Sequence, residues 1–188
     1  MKNKKSEMEN DMNLFGLSLL IKIVVVNLFV LLSIHAADKI LSVSILKNGN
    51  LKVEFNDIKP VVFEKDSMQV NFDKIIISKD SLSVGWVNNY PNCCTSYPIP
   101  LKLQIYSNKV LHTFKGNNLP IWDWTFSNDD SEVIFKQETV HGGTGIHYEM
   151  RKINSEKLIN EFNPLIEADS GKLGNQVFPK WLKSFSRF

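Results

Sequence analysis

Cysteine is almost missing from this chain: among 188 residues there are two, Cys93 and Cys94, and they are neighbours. Adjacent cysteines cannot tie distant segments together, so a disulfide framework is excluded and stability has to come from packing. An excess of one charge is missing as well. The 22 Lys and Arg nearly balance the 20 Asp and Glu, for a formal net charge of +2. Lys2, Lys4, Lys5 and Lys22, with Glu7, Glu9 and Asp11, fall in the first 37 residues, leaving 18 basic against 17 acidic residues in the remainder. Without a basic stripe the chain lacks the electrostatic footprint of a nucleic-acid binder. There is no nucleophile elbow, no zincin helix and no nucleotide-binding motif, so no cofactor is expected. After residue 37 no sustained helical period is present either.

What is present begins with a hydrophobic N-terminal segment. Residues 14–34 read LFGLSLLIKIVVVNLFVLLSI, interrupted by Lys22. From Ile23 to Ile34 runs a 12-residue stretch broken only by Asn27 and Ser33, the length of a signal-peptide core. His35-Ala36-Ala37 follows, with small residues where a signal peptidase cuts. The alternative is an uncleaved anchor, because about 21 residues can span a bilayer as one helix. The lysines favour an inside N-terminus under either reading, which places the rest of the chain outside, in the periplasm or the extracellular space. Residues 1–37 are thus expected to form one hydrophobic helix, a signal peptide or a membrane anchor through residues 14–34, and the only membrane contact.

Roughly 150 residues remain, enough for one domain of ordinary globular composition. Ile40–Ile45 and Leu51–Phe55 are alternating runs around Asn48-Gly49, a hairpin signal. Further β-rich runs lie near Val61–Phe63, Val70–Ile77, Leu82–Val87, Leu101–Tyr106, Val110–Phe114, Ile121–Phe126, Val133–Lys136, Tyr148–Ile153 and Leu158–Phe162. Residues 38–162 therefore read as an all-β domain and 163–188 as a tail with a short helix at Pro179–Phe185. Proline suits the first turn of that helix, and Trp181, Leu182 and Phe185 would share one face.

The chain also repeats itself. A shift of about 49 residues lays Ile75, Ile77, Ser78, Asp80, Val84 and Trp86 on Trp124, Phe126, Ser127, Asp129, Val133 and Phe135. A shift of about 48 lays Ile105, Val110, Leu111 and Phe114 on Ile153, Leu158, Ile159 and Phe162. The two units, about 70–114 and 119–162, each read as a four-stranded antiparallel meander. The segments Ser78–Trp86 and Ser127–Phe135 resemble the turn-and-strand signature of TolB-type β-propeller blades, with neither the Pro nor the Gly of that pattern. The resemblance implies blade-like meanders. A closed propeller needs at least four blades, more than this length holds, so a β-sandwich or an open stack of meanders is equally compatible. The run Asn89-Tyr90-Pro91-Asn92-Cys93-Cys94-Thr95-Ser96-Tyr97-Pro98-Ile99-Pro100, with Gln137–Gly143 downstream, resembles a family of exported bacterial proteins of unassigned function. That resemblance implies export and a β fold, and no activity.

The repeat also predicts where a site could lie. The long loop of unit one, about Asn88–Pro100, carries Cys93 and Cys94; that of unit two, about Thr139–Ile146, carries His141 and a glycine run. If the meanders pack in the same sense, both loops emerge at one end and Tyr90, Cys93, Cys94, Glu138, His141 and His147 gather at one rim. Loops on a rigid β scaffold are where sites usually sit. The cysteines could be a strained vicinal disulfide, two packed inert thiols, metal ligands or a nucleophile. Cys with His141 could form a nucleophile–base pair, and Cys, His141 and His147 a soft metal set, although neither has a local signature. The plain alternative is a hairpin loop with solvated histidines and glycines that supply positive φ; no helix start follows the glycines to make a phosphate cradle. Trp86 and Trp124, at aligned strand positions, read as core, and Asp129-Asp130 as turn residues. The expected function is a non-enzymatic exported β module that binds or scaffolds a protein or small ligand at the cell envelope. The alternative is an envelope enzyme, or a redox or metal protein, using the Cys-Cys/His loop cluster.

Overall fold

Alternating β-branched and aromatic residues give eleven strands in the computed structural model, which describes residues 38–116, 119–141, 145–164 and 178–185. The chain divides into two units, Met1–Ala37 and Asp38–Phe188. The first unit, with the expected hydrophobic helix and cleavage site, lies outside the described residues, as does 165–177. No helix among the described residues is long and apolar enough to cross a membrane.

The fold is all-β, in three antiparallel sheets. The first sheet joins β1 (Ile40–Ile45), β2 (Leu51–Phe55) and β3 (Val61–Phe63). The second joins β4 (Asn71–Ile77), β5 (Ser83–Tyr90), β6 (Ile99–Ser107) and β7 (Val110–Lys115) in chain order. The third joins β8 (Ile121–Phe126), β9 (Glu132–Gln137), β10 (His147–Lys152) and β11 (Leu158–Phe162), also in chain order. The C-terminal segment Lys180–Phe185 forms a short 3-10 helix, not an α-helix.

The sheets bury one another's faces. Val84 and Trp86 on β5, with Phe72 and Tyr106, form one core with Ile40, Leu51 and Val53 of the first sheet. Val87, Leu103, Ile105 and Phe114, on the opposite face of the second sheet, form another with Trp124, Phe126, Val133 and Phe135 of the third. The outer face of the third sheet, at Ile134 and Tyr148, is covered by Leu182 and Phe185 of the 3-10 helix. The second sheet thus lies between two others, and every residue of β5 is buried. Gly85 faces the third sheet: a Cβ there would come 2.5 Å from the Trp124 ring and 2.3 Å from Ile105 Cδ1.

Corresponding positions make corresponding bonds. Ser78 Oγ donates to Asp80 Oδ1 at 2.6 Å and accepts from Ser83 N at 2.9 Å. Ser127 Oγ donates to Asp129 Oδ1 at 2.7 Å and accepts from Glu132 N at 3.0 Å. In both turns the residue after the aspartate takes a left-handed conformation, Ser81 at φ 64° and Asp130 at φ 58°. A side chain there costs about 1–2 kcal/mol per residue. Ser81→Gly should therefore raise folding stability by up to about 1 kcal/mol after the unfolded-chain entropy of glycine is subtracted. Asp130→Gly should gain less, because Asp130 Oδ2 accepts from Asp80 N at 3.1 Å and links the two turns. Urea unfolding of both variants measures the difference.

The same turns set a pH dependence. The Asp129 carboxylate is held down at about 2, first by the Ser127 hydroxyl and then by the hydroxyl and backbone N–H of Ser131. A carboxylate depressed by folding contributes stability above its unfolded value, near 3.8, and loses it as pH falls through the folded value. Thermal unfolding between pH 5 and pH 2, expressed as the difference between wild type and Asp129→Asn, should shrink toward zero at the acid end. A difference independent of pH would contradict this assignment.

Candidate functional site

The β5–β6 and β9–β10 loops do meet. Tyr97 of the first donates its hydroxyl to Val140 O of the second at 3.1 Å. Its ring lies 6.2 Å from that of Trp122, at the start of β8. Trp122 Nε1 in turn donates to Glu138 O at 2.9 Å. The loops therefore emerge at one end, joined by two aromatic residues that sequence reasoning had not put in the site. Tyr97 carries no local signal for this contact, since only the packing of two meanders brings it to Val140.

The expected site residues separate into two sets. Cys93 and Cys94 are free thiols, both exposed, with sulfurs 2.8 Å apart. Of the readings left open for the pair, the free state is the one found, and the exposure departs only from close packing. The Cys94 thiol is pushed up by its hydrogen bond to Cys93 and by the charge Cys93 would carry as thiolate. His141 is exposed in the second loop; Gly142, Gly143 and Thr144 lie outside the described residues.

The other three are engaged in the framework. Tyr90 is buried, and its hydroxyl donates to Asp66 Oδ2 at 2.6 Å in the β3–β4 connection. Lys102 joins the same carboxylate at 3.1 Å and lies 4.9 Å over the Tyr90 ring. Burial pushes the Tyr90 phenol up, and its hydroxyl holds the Asp66 carboxyl below the usual range. Glu138 pairs with Lys136 at 2.6 Å. His147 places Nε2 3.1 Å from Glu149 Oε1 and Nδ1 2.5 Å from Asn163 Oδ1.

The loop is also shorter than its sequence suggests. Asn88, Asn89 and Tyr90 remain in strand, pairing with Lys102, Pro100 and Ile99. Pro100 has no N–H to give the ladder, and the register shifts between Asn88 and Asn89 where it pairs. Burial of Asn88, Asn89 and Tyr90 continues the strand past that irregularity. Within the loop, Asn92 Oδ1 accepts from Cys94 N at 3.4 Å and its Nδ2 donates to Thr95 Oγ1 at 3.1 Å. Thr95 Oγ1 donates to Tyr97 O at 2.6 Å.

Chemically, this rim offers two thiols, an imidazole and an aromatic pair. Among the described residues no three His, Cys, Asp or Glu side chains come together as a metal site. No protein-family model matches the chain, and no curated protein matches it.

Proposed function

We propose that this protein is an exported β module that binds a partner or small ligand through the rim where the β5–β6 and β9–β10 loops meet. The observation that carries this reading is the bond from Tyr97 OH to Val140 O, which joins the loops of two different sheets while Cys93, Cys94 and His141 stay exposed around it. The engagement of Tyr90, Glu138 and His147 in framework contacts supports binding over catalysis at this rim. Export is supported by the hydrophobic run at residues 14–34 and the small residues after it, as a cleaved signal or an anchor.

Under this proposal the sheets are an open stack of propeller-type blades. The matching Ser–Asp turns support it, as does the packing of Val84 with Trp86 and of Val133 with Phe135, each pair against the preceding sheet. On the first sheet's outward face Ser42, Lys52 and Glu54 are linked to one another by a 2.9 Å hydrogen bond and a 2.6 Å ion pair, beside exposed Val62. This polar cluster supports an end position in the stack, as in a capping repeat.

The test places a photo-crosslinking residue at Tyr97 and, separately, at Ser44, which is exposed on β1. In intact cells, labelling of a discrete partner or ligand from position 97 and not from position 44 is expected. Equal labelling from both, or none from position 97, would sink the rim. Recovery of the chain wholly from the cytosol would sink export. A second reading, a redox or metal protein using the same loop, is favoured by the close approach of the two exposed sulfurs.

A further inference from the structure

We propose that Cys93 and Cys94 are a thiol–disulfide exchange site, oxidised to a vicinal disulfide by a small external disulfide, and that Tyr97 transmits their state to the β9–β10 loop. This deepens the redox reading of the rim, on which it rests, and names the reaction and its readout.

Two facts about the pair carry the chemistry. Both thiols are exposed, so a soluble disulfide can reach them. Their sulfurs lie 2.8 Å apart, so whichever is attacked first has its resolving thiol in contact. The thiolate of one cysteine attacks a sulfur of the disulfide RSSR; its S–S bond breaks and RS⁻ leaves. The second cysteine then attacks the protein sulfur of the mixed disulfide, the Sγ–Sγ bond forms and a second RS⁻ leaves. Two electrons pass from the cysteines to RSSR, and the two thiol protons end on two molecules of RSH.

The transmission follows from the loop's hydrogen bonds. Adjacent Cα atoms are held about 3.8 Å apart by a trans peptide, less than an unstrained disulfide prefers. Closing the ring must therefore turn the backbone at both cysteines. Cys94 N is the first link in a chain that runs through Asn92, Thr95 and Tyr97 to Val140 O. Rotation at Cys94 therefore works against a contact that pins the second loop. The bond from Tyr97 should in return resist oxidation.

The experiment equilibrates the full chain in mixtures of reduced and oxidised glutathione, traps it with acid and an alkylating reagent, and reads intact mass. The expected result is one transition in which both thiols disappear together from a monomer that carries no glutathione. Cys93→Ser and Cys94→Ser should each stop at a glutathione adduct on the remaining thiol. In Tyr97→Phe the oxidised-to-reduced ratio should rise about fivefold, the worth of one hydrogen bond of ~1 kcal/mol. A wild-type chain that stops at the glutathione adduct, or forms covalent dimers, would overturn the exchange. A ratio unchanged by Tyr97→Phe would overturn the transmission. Neither outcome touches the crosslinking from position 97, so failure of the rim as a binding surface is read separately.

Discussion

Glu149→Ala is expected to lower folding stability by about 3–5 kcal/mol, the usual cost of removing one partner from a buried ionic network. Glu149 sits on β10, 2% exposed, with both carboxylate oxygens in use. Oε1 accepts from Gln137 Nε2 at 2.9 Å and lies 3.1 Å from His147 Nε2; Oε2 accepts from Arg151 Nε at 2.5 Å. Gln137 is fully buried, so its amide loses a partner that water cannot easily replace. Arg151 keeps its bond to Glu156 O at 3.1 Å, which limits the damage on that side. Glu149→Gln keeps the volume and one acceptor oxygen, and should cost less than the alanine variant. Urea unfolding at neutral pH measures both. A Glu149→Ala variant within about 1 kcal/mol of wild type would show that the network's attraction only offsets its desolvation.

Trp124→Ala should cost about as much, in the range of ~3–5 kcal/mol found for large aromatic truncations in cores. Trp124 is 2% exposed in the core shared by the second and third sheets. Its ring rests over Gly85, packs edge-on to Phe126 at 5.1 Å between centroids, and donates Nε1–H to Lys74 O at 2.9 Å. The truncation therefore removes apolar contact and leaves a backbone carbonyl of β4 without its donor. Trp124→Phe separates these losses: it restores most of the packing but not the hydrogen bond, and should recover more than half of the stability. Against a total of about 5–15 kcal/mol for a domain, either truncation would bring the protein close to unfolding at physiological temperature. Thermal and urea unfolding of the three proteins decide the sizes.

Much of the fold is legible in the sequence because strand patterning is local. Alternation at Leu51, Val53 and Phe55, or at Leu103 and Ile105, follows from the two-residue period of a strand with one buried face. The offset of about 49 residues identifies equivalent turns before any coordinates, since Ser78 with Asp80 and Ser127 with Asp129 are Ser–x–Asp patterns whose bonds close within five residues. The burial of Trp86 and Trp124 was readable in the same way. Strand ends were less so: β5 continues to Tyr90 because burial by the neighbouring sheet outweighs the weak local signal of Asn88 and Asn89.

The site was legible only in outline. That the Cys93-Cys94 and His141 loops should share an end follows from equivalence of the two repeats. Which side chains point to that end does not follow, because it depends on partners far along the chain. Tyr90 is drawn away by Asp66, 24 residues earlier, and His147 by Asn163, 16 residues later. Tyr97 is recruited by Val140, 43 residues later. The sequence by itself determined an all-β chain of antiparallel hairpins, its repeat and its two exceptional cysteines, since period, turn chemistry and composition act over a few residues. The tertiary structure alone decided the exposure of the thiols, the aromatic bridge between the loops and the buried network at Glu149. The aromatic bridge depends on how the loops of one sheet lie against those of the next, and the network on the β9–β10 register that sets Gln137 opposite His147 and within reach of Glu149, neither of which a local period or turn can specify.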